Sequence, residues 1–252
     1  MRAIRLQQMK DYIFEHDAVT FDDICSKFDI SINTARRDIA LLEKDGSICK
    51  VYGGVKPNKE TGLAPFKDRY IAQLDQKLAI CKRAAEFIED GDIIYMDPGT
   101  TVHNVLDFVH DKEITVITAS LSVILKAANM DNIRLYTLSG TLNRESNSFE
   151  DIGAFTNLER FSITKAFFAC SGISLTGGVM LASTWEFEMK NYVVKRNTNS
   201  FLLIDNTKFS KTAMMKFAEA NEMKNIITCP PVDDKYKKYF KEHGVNLHLV
   251  IP

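Results

Sequence analysis

Apolar positions recur every third or fourth residue at the start of the chain. Leu6, Met9 and Ile13 line one side of a first helix, and residues 21–28 form a short second helix after a turn at 17–20. A third helix starts at the polar Ser31 and turns Ile39 and Leu42 inward, with Gly46 as its stop. Phe28, Ile30, Ile39 and Leu42 then close a small three-helix core. Residues 47–52, followed by Gly53 and Gly54, carry the turn residues of a short hairpin. Helices and hairpin in this order predict a winged helix-turn-helix over residues 1–56.

The pattern breaks at residues 56–61, a polar stretch with Pro57 and no apolar period, so 57–72 reads as a linker. Beyond it Leu78, Cys81, Ala85 and Ile88 form one stripe, which predicts a long helix over 73–89. Short apolar runs then alternate with helical periods. Strands are predicted at 92–96, 115–118, 133–138, 166–170, 201–204, 225–228 and 246–250, and helices at 101–109, 120–128, 185–195 and 233–242. This alternation predicts an α/β domain over 73–252 with a largely parallel sheet.

On the third helix the outward positions are Asn33, Thr34, Arg36 and Arg37. In a major groove arginine can donate two hydrogen bonds to guanine and asparagine can pair with adenine, each worth about 1–3 kcal/mol of discrimination. Arginine also binds phosphate, which leaves open whether Arg36 or Arg37 reads a base. An arginine pair equally suits a solvated face or a protein-docking module, and residues 1–56 are neutral, with nine Lys/Arg and nine Asp/Glu. Distribution favours DNA. Asp11, Glu15, Asp17, Asp22 and Asp23 fall on the first two helices, whereas Arg36, Arg37, Lys50 and Lys56 follow the third helix and hairpin. The candidate contacts to double-stranded DNA are Ser31, Asn33, Thr34, Arg36, Arg37, Lys50 and Tyr52.

In open α/β sheets ligands settle at the carboxyl ends of strands. Four loops there carry chemistry. Asp97-Pro98-Gly99-Thr100-Thr101 offers close backbone approach, two hydroxyls and a helix start that attracts anions, the parts of a phosphate cradle. Thr118-Ala119-Ser120, Ser171-Gly172-Ile173-Ser174 and Asp205-Asn206-Thr207-Lys208 follow later strands in the same manner. Convergence of the four predicts a pocket for a small anionic molecule, although capping and turn formation account for any single loop equally well. Arg144 and Lys208 are equally ordinary as surface charges, and Glu186 with Lys190 reads as a helical ion pair worth about 0.2–0.5 kcal/mol. Trp185 reads as packing.

Length and composition fit two domains: 252 residues, 45% hydrophobic, supply a substantial core. No apolar run reaches the ~20 residues that a bilayer requires, and the charged amino terminus is unlike a signal peptide, so a cytoplasmic location with no membrane partner is expected. Five cysteines without C-x-x-C spacing predict reduced thiols. The histidines are scattered, and His243 and His248 suit surface or packing roles. No metal and no cofactor are expected.

The run from Phe28 to Gly54, F-D-I-S-x-x-T-x-R-R-D-I-x-x-L-E-x-x-G with Y-G-G at its end, resembles the amino-terminal signature of the DeoR family of bacterial transcriptional regulators. Ala35 and Tyr52 depart from it, standing where a branched aliphatic and a histidine are common. The likeness continues through the chain. D-x-G-T-T appears at Asp97, Gly99, Thr100 and Thr101, T-x-S at Thr118 and Ser120, and G-I-S-L at Gly172 to Leu175 before Gly178. E-x-E-x-K appears at Glu186, Glu188 and Lys190, and D-x-[ST]-K-F at Asp205, Thr207, Lys208 and Phe209. Ala119, Met180 and Asp151 depart from the family pattern, which leaves the sugar less defined than the phosphate site. Lys50 to Val55 and Ala64 to Arg69 look closest to an inositol-catabolism subgroup.

The resemblance implies an α/β fold in which an N-terminal winged helix-turn-helix precedes a larger sugar-phosphate-sensing domain similar to ribose-5-phosphate isomerase. It implies a repressor of a sugar or polyol catabolic operon, released from operator DNA by a phosphorylated sugar effector and working as a homodimer or homotetramer. Its effector contacts would be Asp97, Gly99, Thr100, Thr101, Thr118, Ser120, Arg144, Gly172, Glu188 and Lys208. Two other readings stand beside it. One is a sugar-phosphate isomerase with an accessory domain, using Asp97, Glu186, Glu188 and Lys208 as acid, base and electrophile. The other is a winged-helix docking adaptor.

Overall fold

The computed structural model describes residues 2–16, 18–44, 48–57, 66–151, 158–183, 185–197 and 199–252. The chain divides into two compact units, Met1–Leu63 and Ala64–Pro252. Among the described residues no helix is long and apolar enough to cross a membrane.

The first unit contains α1 (Arg2–His16), β1 (Val19–Thr20), α2 (Phe21–Phe28), α3 (Ile32–Lys44), β2 (Ile48–Val51) and β3 (Gly54–Pro57). Met9, Ile13, Ile24, Ala35, Ile39, Leu42, Ile48 and Val55 form its buried core, with Leu6, Phe28 and Ile30 packed against them. Each fully buried aliphatic side chain contributes roughly 1.5–3 kcal/mol. Ala35 is completely enclosed, so its small side chain still fills a core position. A capping box starts α2: the Asp23 amide donates to the Thr20 hydroxyl at 3.1 Å, and the Thr20 amide donates to the Asp23 carboxylate at 2.9 Å. The expected helix stop at Gly46 lies outside the described residues.

The hairpin of β2 and β3 gains β1 as a third, antiparallel strand in the order β1-β3-β2. Its two glycines do different things. Gly53 takes a turn conformation at φ +82°, and a Cβ on Gly54 would sit 2.3 Å from the Val19 carbonyl oxygen, where β1 closes on β3.

In the second unit α4 (Phe66–Ile71) is a helix inside the stretch expected to be linker. Residues 58–65 of that stretch lie outside the described residues. Gln73, left-handed at φ 54°, separates α4 from α5 (Leu74–Ala85), which is shorter than the helix predicted over 73–89. Then come β4 (Ile93–Met96), a 3-10 helix (Val102–Phe108), β5 (Ile114–Thr118), α6 (Leu121–Ala127), β6 (Ile133–Thr137), β7 (Thr141–Asn143) and β8 (Ser148–Glu150). After them follow β9 (Lys165–Phe168), β10 (Gly172–Ser174), β11 (Gly178–Leu181), α7 (Trp185–Arg196), β12 (Ser200–Leu203) and a 3-10 turn (Asn206–Lys208). The chain ends with β13 (Met215–Ala218), β14 (Asn225–Thr228), α8 (Asp234–Glu242) and β15 (Asn246–Leu249). The Trp185 side chain lies outside the described residues.

Seven strands form one sheet in the order β15-β14-β12-β9-β4-β5-β6, every pairing parallel. Its central strands read as continuous apolar runs because apolar clusters cover both faces, one with Tyr95, Phe168 and Leu202 and the other with Ile94, Phe167 and Phe201. From β4 the chain builds outward to β5 and β6, then returns to add β9, β12, β14 and β15 on the other side. The β4/β9 boundary is therefore the topological switch point. The β7-β8 hairpin and the antiparallel sheet β10-β11-β13 were not predicted, being short segments interrupted by glycine and polar residues.

Among the described residues of the first unit an ion pair joins α1 to α3. Arg5 donates Nε and Nη2 to Asp38 Oδ2 at 2.9 and 2.7 Å, and Asp38 is buried. Asp38→Ala leaves the guanidinium without its acceptor and should lower the stability of this unit by about 2 kcal/mol, the scale of a charged hydrogen bond. Denaturant unfolding followed by far-UV dichroism would check this, and a midpoint equal to wild type would refute the tie.

Candidate functional site

On α3 the core and the exposed face separate as helical period requires. Ala35, Asp38, Ile39 and Leu42 are buried, while Asn33, Arg36 and Arg37 are exposed together. The Ser31 hydroxyl accepts the Thr34 amide at 3.3 Å and lies 3.0 Å from the Thr34 hydroxyl, so both help start the helix. Tyr52 stands fully exposed at the tip of the β2-β3 turn. Lys50, on β2, is not free in this structure: its Nζ lies 2.5 Å from Glu43 Oε2. The surface thus offers an amide, two hydroxyls and two guanidinium side chains without an ion-pair partner among the described residues, along one helix with a tyrosine-tipped hairpin.

In the second unit the four loops picked out by sequence follow β4, β5, β9 and β12, and these strands are contiguous in the sheet as β12-β9-β4-β5. Asp97, at the end of β4, is completely buried. Its Oδ2 accepts the Ala169 amide at 3.0 Å across the switch point and the Lys190 ammonium at 2.8 Å, and the Tyr95 hydroxyl donates to Oδ1 at 3.4 Å. Lys190 reaches down from α7, also donating to Glu186 at 2.9 Å and to the Ala169 carbonyl at 3.1 Å. Glu186 and Lys190 are therefore part of a triad with Asp97, in which Asp97 and Lys190 are buried and Glu186 is half-buried, where sequence suggested a solvated helical pair. Burial pushes the Asp97 carboxyl up to about 7 against the pull of Lys190, with Glu186 adding to the rise. Burial opposes the charge on Lys190 as well, but Asp97 and Glu186 more than offset it and hold the ammonium above its ordinary value.

Gly99 follows at φ +154°, and a Cβ there would meet the Ala169 Cβ at 2.7 Å. Thr100 and Thr101 are buried. The Thr100 hydroxyl accepts from Lys77 Nζ at 3.1 Å, and the same ammonium also donates to the Arg69 carbonyl. Lys77 is not among the candidates that the sequence offers. It lies on α5 beside the apolar stripe, and a lone buried lysine gives no periodic signal. Burial pushes its amine down to about 8, Asp205 opposing and Lys208 and Arg69 adding to the fall. Arg69 is likewise not among those candidates. Its Nη2 donates to the Glu145 carbonyl at 2.7 Å, which ties α4 to the β7-β8 turn.

The remaining candidates divide. Thr118 is buried and occupied, donating to the Met96 carbonyl at 2.6 Å and accepting the Ser120 amide at 3.0 Å. Ser120 caps α6 by accepting the Val123 amide at 3.4 Å. Asp205 caps the 3-10 turn that carries the half-buried Lys208 and accepts the Thr207 amide at 3.0 Å. A Cβ on Gly172 would lie 2.5 Å from the Lys211 carbonyl oxygen, so this glycine serves backbone packing. Arg144 and Glu188 are exposed, and no described contact brings either to the cradle. The hairpin turn directs Arg144 outward, and Glu188 sits on the outer side of α7, whose inner side carries Lys190. Within the same hairpin, Glu150 is raised to about 7 by burial, with Asn143 and Ser146 opposing as donors at 2.9 and 3.1 Å. Among the described residues no cluster of histidine, cysteine and carboxylate could hold a metal.

Comparison with known proteins covers both units. The family profile described as the DeoR-like helix-turn-helix domain matches residues 5–61, and that of the DeoR C terminal sensor domain matches 72–229. The HTH-type transcriptional regulator IolR of Bacillus subtilis is 36% identical over 250 residues, 99% of this chain and 100% of its own length. The lactose phosphotransferase system repressor of Streptococcus mutans is 29% identical over 243 residues, 94% and 96% of the two chains. Among solved structures, ribose 5-phosphate isomerase A of Methanocaldococcus jannaschii is similar over 56% of each chain at 18% identity and TM-score 0.41. The relatives matched along the whole chain are transcriptional regulators, which decides against the isomerase and adaptor readings.

The triad generates a test. Lys190→Met leaves Asp97 and Glu186 without their counter-charge and should destabilise the second unit by about 3–5 kcal/mol at neutral pH. Lys190 is what pulls the Asp97 carboxyl down to about 7, so in its absence the carboxyl keeps its proton to higher pH, and the variant regains stability relative to wild type as pH falls towards 7, below which Asp97 is neutral in both. Thermal unfolding from pH 9 to pH 7 should therefore show the gap between variant and wild type narrowing. A gap independent of pH would mean that the triad does not carry the cost.

Proposed function

The chain belongs to the DeoR family of helix-turn-helix transcriptional regulators, and from that premise we propose that it represses a sugar or polyol catabolic operon and leaves its operator when a phosphorylated intermediate binds. Residues 1–56 read DNA in this proposal, 57–72 connect, and 73–252 bind effector and assemble the oligomer. Asn33, Arg36 and Arg37 meet base edges and phosphates in the major groove, Ser31 and Thr34 lie at the amino end of the same helix, and Lys50 and Tyr52 meet the flanking backbone. Lys50 exchanges Glu43 for a phosphate on binding. Symmetric half-sites call for at least a dimer.

One observation carries the effector half. At the switch point, where α/β sheets bind ligands, Gly99 leaves no side chain over the loop, Thr100 presents a hydroxyl, and Lys77 and Lys208 bring cationic charge to the same corner. A phosphate there would take over the Thr100 and Lys77 hydrogen bonds and add a charge-assisted contact to Lys208. Relatives that are named lactose phosphotransferase system repressors support a catabolic role. The likeness of residues 50–55 and 64–69 to the inositol subgroup favours a polyol phosphate as effector.

Two outcomes test this reading. Arg36→Ala and Arg37→Ala should each weaken binding to a duplex selected by the protein from a random pool by about tenfold, or ~1.4 kcal/mol, without altering unfolding. The variant that loses a base contact should relax specificity at one position, and the one that loses a phosphate contact should flatten the salt dependence. Unchanged affinity in both would falsify the assignment of α3.

For induction, Thr100→Ala or Lys208→Ala should leave DNA binding intact and raise the effector concentration needed for release by about tenfold, since an effector shifts the equilibrium only through its differential affinity for the free state. A panel of sugar and polyol phosphates titrated against the preformed protein–DNA complex supplies the measurement. Release at wild-type concentrations in both variants would place the pocket elsewhere.

A further inference from the structure

His103 sits one turn beyond Gly99 on the 3-10 helix that follows the cradle, and it is only 1% exposed. Its Nδ1 lies 3.4 Å from the Gly99 carbonyl oxygen, which can only accept, so the proton of the neutral ring is on Nδ1. The ring stacks on Tyr70 of α4 with centroids 5.0 Å apart and planes inclined by 22°. Burial, with Lys126 adding to it, pushes the imidazole down to about 4, so it is uncharged at neutral pH. Nε2 then carries a lone pair, is buried, and has no hydrogen-bond partner among the described residues.

A buried acceptor left without a donor works against folding and calls for an explanation. The surroundings provide one. The peptide of Gly99 orients the imidazole through its carbonyl and belongs to the loop read above as the phosphate cradle, while α4, which supplies the stacking tyrosine, also supplies the Arg69 carbonyl that holds Lys77. Imidazole and phosphate corner are thus held by the same two segments.

We propose that His103 is a specificity-determining residue of the effector site, its Nε2 accepting a hydrogen bond from a hydroxyl of the effector. The effector is then a phosphate monoester of a polyhydroxylated carbon chain or ring, and a phosphate ester lacking hydroxyls leaves the acceptor unpaired and binds poorly. This rests on the cradle reading of Gly99 to Thr101. Tyr70 keeps the ring from turning away, and the Gly99 carbonyl keeps Nδ1 as the donor, so the site presents one fixed acceptor. A site built to pair a hydroxyl rejects the analogue without it far more strongly than an apolar pocket rejects a missing methylene.

Calorimetric titration of the full chain with inorganic phosphate, ethyl phosphate and a panel of hexose and polyol monophosphates tests it. The wild type should bind the tightest of the panel at least tenfold more strongly than ethyl phosphate. In His103→Phe, which keeps the stacking on Tyr70, that margin should collapse to about twofold with ethyl phosphate affinity unchanged. His103→Gln, which retains an acceptor, should recover part of it. A second measurement needs no variant: the 15N resonance of Nε2 in the wild type should move upfield with the tightest hydroxylated phosphate and stay in place with ethyl phosphate. If simple phosphates bind and no hydroxylated ester exceeds them, or if the margin survives in His103→Phe, or if the Nε2 resonance does not move, the role of His103 is overturned while the cradle stands. If no phosphate compound binds at all, the cradle reading and this inference fall together.

Discussion

The arrangement of the second unit depends on one buried charge, the Asp97 carboxylate at the end of the central strand β4. Enclosed at the switch point, it must be satisfied from within the protein, because a carboxylate removed from water without partners is too costly to keep. Three elements meet that demand: β9 brings the Ala169 amide, α7 brings the Lys190 ammonium, and β4 itself brings the Tyr95 hydroxyl. Lys190 in turn uses its donors on Asp97, Glu186 and the Ala169 carbonyl. The two strands that flank the switch point and the helix above them are thereby held in one register. Gly99 can then lie against Ala169 with no room for a side chain between them.

That rigid base explains why the cations around the cradle are not interchangeable. Lys190 is committed, its charge matched by carboxylates. Lys77 is shared between a hydroxyl and a carbonyl, both neutral, and burial already weakens its hold on the proton. Lys77, with Lys208 beside it, is a group whose charge an arriving anion could neutralise at a gain. Under the proposed function, such a site would give an effector leverage because contacts made to neutral groups would be exchanged for charge-assisted ones.

Asp38 plays a comparable part in the first unit. In the run Arg36-Arg37-Asp38-Ile39 the helical period turns both arginines to solvent and the aspartate and isoleucine inward, where Asp38 accepts two hydrogen bonds from Arg5. The same four residues thus provide the outward guanidinium face and the inward tie that fixes it against α1.

Much of this was legible in the residues alone. Helical spacing at Met9, Ile13, Ile39 and Leu42 and the glycines after Tyr52 determined the winged helix, and alternating short runs determined a parallel α/β sheet, because these patterns report local backbone period and one-sided burial. The loops at Asp97, Thr118, Gly172 and Asp205 could be picked out because turn and capping chemistry is local too. What tertiary structure alone decided was which distant groups meet. The sheet order sets four loops on contiguous strands and turns Glu186 and Lys190 from an apparent surface pair into a triad with Asp97. It leaves Arg144 and Glu188 in solvent and sets Lys77 against Thr100 and the Arg69 carbonyl, and His103 against the Gly99 carbonyl. Contacts across many residues leave no period in the sequence, and the charge state of a buried group depends on neighbours that only the folded chain assembles.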